Sequence, residues 1–129
     1  MADLCSIHPE LVARITRVLD ALSALGFPMR ITDGVRTMEQ QAAIYAQGRT
    51  TPGRIVTYAD GVTHRSNHQV KADGYGHAVD CAFVGSDGDP SWAESWPWNA
   101  YGACVVAVGL TWGGNWRGKK RDRPHCELP

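Results

Sequence analysis

Asp80 stands inside the apolar run Ala78-Val79-Asp80-Cys81-Ala82-Phe83-Val84. A carboxylate in such a run is costly unless it is paired or binds a metal. Taken alone, it reads equally well as a satisfied structural aspartate. Histidines change the balance. The chain has five, His8, His64, His68, His77 and His125. His8 falls at a helix start and reads as a solvated residue. The others surround the long loop before the run and the end of the chain. A histidine on a loop (Ser66-Asn67-His68) and an aspartate on the next strand (Gly76-His77-Ala78-Val79-Asp80) can converge on one ion. His125, in Asp122-Arg123-Pro124-His125, offers a third ligand. Two histidines and one carboxylate leave one tetrahedral position open, the pattern of a catalytic zinc rather than a structural one. Asp122, three residues before His125, is spaced to reach a water at that position without ligating the metal. That is the placement of a general base.

These residues need elements to position them. Leu11, Ile15, Val18, Leu22 and Leu25 follow a 3.6-residue period, which predicts an amphipathic helix over 9–25. Pro9 suits its first turn, and Gly26 with Pro28 its stop. Residues 29–32 read as a short strand. Thr37 and Gln40 fit a capping box, placing a second helix over 38–47. The stretch 48–77 is long for a structureless loop in a compact domain, and such loops are often functional. Residues 78–84 read as a buried strand and 85–90 as a turn. Ser91 and Glu94 fit another capping box, so a third helix is expected from near Trp92 to about Val108, broken or restarted at Pro97. Two more short strands are expected over 111–116 and 125–128. Helices first and short strands later predict an α+β fold with a small, mostly antiparallel sheet flanked by helices.

The motifs resemble those of the LAS group of peptidases (lysostaphin, D-Ala-D-Ala metallopeptidases and the hedgehog N-domain). Within it, they look most like the single-domain L-alanyl-D-glutamate endolysins of phages. The family pattern is Ser-x-His, then Gly-x-Ala-x-Asp, then Asp/Glu-x-x-His. The chain offers Ser66-Asn67-His68, Gly76-His77-Ala78-Val79-Asp80 and Asp122-Arg123-Pro124-His125 in that order. Gly34-Val35-Arg36-Thr37 with Gln40-Gln41 and Tyr45-Ala46-Gln47-Gly48-Arg49-Thr50 matches upstream. Thr111-Trp112-Gly113-Gly114-Asn115-Trp116 matches before the last histidine. The resemblance covers roughly residues 29–129. It implies a hedgehog-like peptidase fold and one Zn2+ on His68, Asp80 and His125. It makes Asp122 the catalytic base, places Arg36 beside the reacting carbonyl and the substrate, and has Ser66 orient the ligand region or the substrate. The implied substrate is the peptidoglycan stem peptide, cut between L-Ala and D-Glu to lyse the wall.

The chain departs from the pattern twice. The interval from His68 to Asp80 is longer than the family's, so 69–75 contains an apparent insertion, and His77 becomes an alternative ligand to His68. His77 and Asp80 are three apart on an expected strand and would face opposite sides, which favours His68. Asn115 stands where many relatives have Asp. Trp112 and Trp116 flank the Gly-Gly turn, and Trp112 is taken as the substrate-side residue. Asp87 and Asp89 lie in a string too short for a calcium loop and read as a turn.

Composition bounds the rest. A chain of 129 residues is about one domain, read as a single catalytic domain over 1–129 without a separate wall-binding domain. Thirteen basic and thirteen acidic residues give a net charge of +0, which disfavours nucleic acid as partner. Five basic residues cluster in Arg117-Gly118-Lys119-Lys120-Arg121-Asp122-Arg123, either a solvated loop or a patch for an anionic surface. The longest strongly apolar run, 103–110, is too short to span a membrane, so no stable membrane insertion is expected. The first residues lack a signal-peptide pattern. The expectation is therefore a monomer made in the host bacterial cytoplasm that reaches the wall at lysis. The cysteines, Cys5, Cys81, Cys104 and Cys126, are expected to be reduced, with Cys81 and Cys126 small buried residues beside the ligands. Two other readings stay open. One is a D,D-carboxypeptidase or dipeptidase releasing D-Ala. The other is a non-catalytic zinc-containing peptidoglycan-binding module, which would not need Asp122 beside His125.

Overall fold

The first helix, α1 (Pro9–Ala24), buries the predicted stripe of Leu11, Ile15, Val18 and Leu22. Leu25 departs from it: it caps the helix and is exposed, while Gly26 turns the chain with a φ of 90°. The chain then enters β1 (Met29–Asp33) and α2 (Met38–Ala46), whose Thr37–Gln40 capping box forms as expected. The computed structural model describes residues 6–55, 57, 59–61 and 66–129, so Cys5 and His64 lie outside the described residues.

The loop after α2 leads to β2 (Ala78–Val84), which is followed by β3 (Pro90–Ser91), α3 (Trp98–Ala107), β4 (Thr111–Trp112) and β5 (His125–Glu127). Among the described residues the sheet runs β1-β2-β5-β4, with β3 also on β2, and every pairing between strands is antiparallel. This is the expected α+β architecture. The third helix differs from its expectation. It starts only at Trp98, because Pro90 and Ser91 pair with β2 and the Ser91 hydroxyl accepts from Ala93 N–H and the Trp96 indole instead of capping a helix. The 85–90 turn forms as expected, with the Asp87 carboxylate accepting from Asp89 N–H.

Strand alternation divides the sheet. Val79, Cys81, Phe83 and Cys126 enter a core that also holds the α1 stripe, Tyr101, Val105 and Trp112. Cys81 and Cys126 are thus free, buried core residues, on the opposite face of their strands from Asp80 and His125. Gly102 lets α3 approach β4, since a Cβ there would lie 2.3 Å from the Trp112 ring.

Candidate active site and metal centre

Register brings the chemistry into one line. Asp80 pairs directly with His125 across β2 and β5. On the other side of β2 the register slips between Ile31 and Asp33, and this bulge sets Asp33 opposite Asp80. Two carboxylates facing each other repel. Arg36 resolves the conflict: its Nη2 lies 2.6 Å from Asp33 Oδ2 and 3.4 Å from Asp80 Oδ2. Arg36 is further held by Nε to Asp33 at 2.8 Å and by Nη1 to Gln41 Oε1 at 3.1 Å. Gln41, fully buried on α2, also donates to Thr57 Oγ1 and to the Ala59 carbonyl, pinning the long loop.

His68 comes from that loop and is buried. Its Nδ1 lies 2.7 Å from the Gly34 carbonyl, which can only accept, so Nδ1 carries the proton and Nε2 presents a lone pair. The Ser66 hydroxyl accepts from His68 N–H at 3.2 Å, which fixes the backbone at His68. His125 Nε2 lies 2.7 Å from Glu127 Oε1, which fixes its proton there and turns the Nδ1 lone pair inward. Glu127 also accepts from the Asn67 side chain.

Three atoms therefore converge. His68 Nε2 and His125 Nδ1 are 3.3 Å apart, His68 Nε2 and Asp80 Oδ1 are 3.5 Å, and His125 Nδ1 and Asp80 Oδ1 are 3.2 Å. Asp80 Oδ1 is buried and has no hydrogen-bond partner among the described residues. Three lone pairs aimed at one point need a cation or a proton between them. Bonds of about 2.0–2.2 Å in a tetrahedral zinc site put neighbouring donor atoms about 3.4 Å apart. The observed triangle fits, and the three side chains form a possible metal site.

Without a metal, the electrostatics reflect the same crowding. Burial pushes the Asp80 carboxyl up, but the facing His125 and His68 rings outweigh it and hold Asp80 well below the usual carboxylate range. Burial pulls the His125 imidazolium down, yet Asp80 and Glu127 together hold it up at about 10. Asp122 moves the other way. Burial, then the Asp80 charge, raises its carboxyl against the pull of His125, His68 and Arg36. A carboxylate with raised affinity for a proton is suited to base chemistry.

These groups open onto a cleft of about 1180 Å³ lined by Arg36, Ser66, His68, Asp80, Asp122 and His125. Four residues of the basic run, Arg117, Lys119, Lys120 and Arg121, form its rim, while Arg123 reaches toward Glu94 at 3.8 Å. One expectation is corrected. Trp112 does not face the cleft: it is buried, with its indole donating to the Arg123 carbonyl at 2.8 Å. Trp116 lines the cleft instead, its ring 4.9 Å from that of His125. His77, the alternative ligand, points away and lies 2.6 Å from Asp73. Sequence reasoning missed Asp33 and Glu127, and it named Gly34 and Gln41 without a role. Glu127 had a signal, since it shares a strand face with His125 two residues before it.

Comparison with known proteins agrees with this arrangement. Residues 60–128 match a family model of the M15 peptidases described as D-alanyl-D-alanine carboxypeptidase. The chain is 33% identical over 130 residues to the peptidoglycan L-alanyl-D-glutamate endopeptidase CwlK of Bacillus subtilis, covering 95% of this chain and 73% of that protein. Its fold is like that of the Serratia marcescens L-Ala D-Glu endopeptidase ChiX, with a TM-score of 0.64 at 24% identity over 100% of this chain and 90% of that one. It is also like the LdcB LD-carboxypeptidase, with a TM-score of 0.66 at 18% identity over 95% of this chain and 65% of that one. With more than half of its length matched by the family model and a relative this similar over nearly all of it, the chain belongs to the M15 peptidase family.

Proposed function

We propose that the protein is a zinc-dependent peptidoglycan peptidase that hydrolyses the L-Ala–D-Glu bond of stem peptides. The observation that carries the metal reading is the triangle of donor atoms on His68, Asp80 and His125, with the orphaned Asp80 oxygen at one corner. The bond is supported by the resemblance to CwlK, an L-alanyl-D-glutamate endopeptidase by name. Zinc bound there would supply a Lewis acid and make hydroxide available near neutral pH.

The chain's own residues do the rest. Asp122 takes a proton from the attacking water and returns it to the leaving amine. Arg36 keeps positive charge beside the reacting carbonyl and, clamped by Asp33 and Gln41, holds the second oxygen of Asp80 in place. The basic rim receives the carboxylates of the stem peptide. Trp116 walls the cleft next to His125. The single domain, the monomeric state and release to the wall at lysis belong to the same proposal, which the likeness of the motifs to phage endolysins supports.

The family model's description favours a second reading, a carboxypeptidase that releases D-Ala. Digestion of Gram-negative peptidoglycan, with products identified by mass spectrometry, separates the two. New L-Ala carboxyl ends and D-Glu amino ends are expected. Asp122→Asn should lose most turnover, on the order of 10²–10⁴-fold for a general base, while still binding zinc. Released D-Ala would move the protein to the second reading. An Asp122→Asn variant of undiminished activity would overturn the role of Asp122.

A further inference from the structure

A second group of donors lies outside the cleft. His77 Nε2 is 2.6 Å from Asp73 Oδ2, and His8 Nε2 is 3.9 Å from the same oxygen. One ligand atom from each of His8, Asp73 and His77 lies within 4.8 Å of the others. The three come from separate places in the chain. His8 caps α1, and its Nδ1 accepts from Glu10 N–H, which leaves Nε2 turned outward to Asp73. Asp73 lies in the apparent insertion, where its Oδ1 accepts from Tyr75 N–H and its Oδ2 stays directed at the histidines. His77 immediately precedes β2.

The backbone around these donors is already fixed. Ile7 bridges Gly76, His8 N–H donates to the Gly76 carbonyl, and Gly76 N–H donates to the Ser6 carbonyl. The rings of Tyr75 and His77 both stand edge-on to that of His8, at 5.5 and 5.2 Å. The donors are thus held close by the frame. The side chains remain partly exposed, at 32%, 40% and 22% for His8, Asp73 and His77, and are open to an ion from solvent.

We propose that His8, Asp73 and His77 form a second binding site for a first-row divalent cation of the zinc class. Two imidazoles and one carboxylate suit zinc, copper or nickel better than calcium or magnesium, which prefer all-oxygen shells. The donor separations of 2.6 and 3.9 Å bracket the about 3.4 Å of a tetrahedral zinc site. Small rotations of the exposed His8 and Asp73 side chains bring them to it. The ion replaces the proton shared by His77 and Asp73. Its effect is a clip between the start of α1 and the turn at 71–77. That turn adjoins the cleft: His77 N–H donates to the Asn67 carbonyl, next to His68. The inserted residues thereby acquire a task, tying the His68 loop to the body of the fold.

The test is zinc stoichiometry by equilibrium dialysis and elemental analysis, in a His125→Ala background that disables the cleft site. That chain is expected to bind about one Zn2+. Adding His8→Gln or His77→Gln should reduce this to near zero, and zinc should raise the melting temperature of the His125→Ala chain but of neither double variant. In the chain with His125 intact, His77→Gln should lower stoichiometry by about one while far-UV circular dichroism stays unchanged. A His125→Ala chain that binds no zinc, or double variants that bind as much as it does, would overturn the proposal. The cleft reading survives either result, because it is tested separately by the digestion products and by Asp122→Asn.

Discussion

Each inward lone pair at the cleft is set by what the same side chain does with its other polar atom. Gly34 takes the His68 proton, Glu127 the His125 proton and Arg36 the second oxygen of Asp80. The residue types that meet at the cleft were legible in the sequence because a carboxylate in an apolar strand and histidines at family spacing carry their own chemistry. Their partners were not, since Gly34 acts through its backbone carbonyl and Asp33 only through a bulge. A pH dependence follows. In the metal-free chain the His125 imidazolium persists to about pH 10, held there by Asp80 and Glu127 against burial. Its folded value lies above the ordinary value of 6.5, so the stability it lends is fully present below pH 6.5 and fades as pH rises through about 10. A cation must displace this proton. Zinc uptake at pH 8 is therefore expected to release about one proton per chain from this site, read by calorimetry in buffers of different ionisation enthalpy with His8→Gln present to remove the other site. Glu127→Gln should bind zinc about 10–100-fold more weakly, as loss of an outer-shell partner does, and release less proton. Uptake with no proton released would show that His125 is already neutral at pH 8 and would contradict its raised value.

At the scale of elements, the site depends on close backbone packing as much as on side chains. α1 was legible from periodicity and β1, β2 and β5 from local pattern, with β2 matching its expected bounds; β3 was not expected, and β4 stops at Trp112 where a strand to 116 was expected, the chain going on as a 3-10 turn. The start of α3 was not, because Ser91 gains more from pairing with β2 than from capping, a tertiary effect invisible to local pattern. The turn after β4 carries a constraint that sequence alone does not reveal. Gly113 accepts from Asp122 N–H at 2.9 Å, and a Cβ on Gly113 would meet the Asp122 carbonyl at 2.4 Å and His125 Cβ at 3.0 Å. The nearest obstacle is backbone, which cannot swing aside as a flexible side chain can. Gly113→Ala must therefore push the segment bearing Asp122 away from β4. A displacement of about 1 Å at a catalytic group costs on the order of 10²-fold in rate. Peptidoglycan turnover should fall by about that factor. Comparable turnover by wild type and Gly113→Ala would show that Asp122 is not positioned by this contact.

Across the whole molecule, a net charge of +0 conceals an uneven distribution. No helix of the described residues is long and apolar enough to cross a membrane. The marked charge feature is the basic rim formed by Arg117, Lys119, Lys120 and Arg121 at the mouth of the cleft. These side chains are largely exposed, so as isolated ion-pair partners each would contribute little to stability. Their collective field over a concave mouth is different, because it attracts anionic substrate before contact. Such steering is screened over about 8–10 Å at physiological ionic strength. Hydrolysis of stem peptides should therefore slow as salt is raised, through KM rather than kcat. The double variant Lys119→Glu/Lys120→Glu should raise KM several-fold at low salt, keep kcat within about two-fold, and flatten the salt dependence. The two lysines touch neither the metal ligands nor Asp122 in any hydrogen bond or ion pair described among the residues of this structure, so the chemistry should be spared. If kcat rather than KM carries the loss, the rim acts on bound substrate and the steering account fails. If neither moves, the basic run is a solvated loop and the anionic stem peptide is recognised deeper in the cleft, by Arg36.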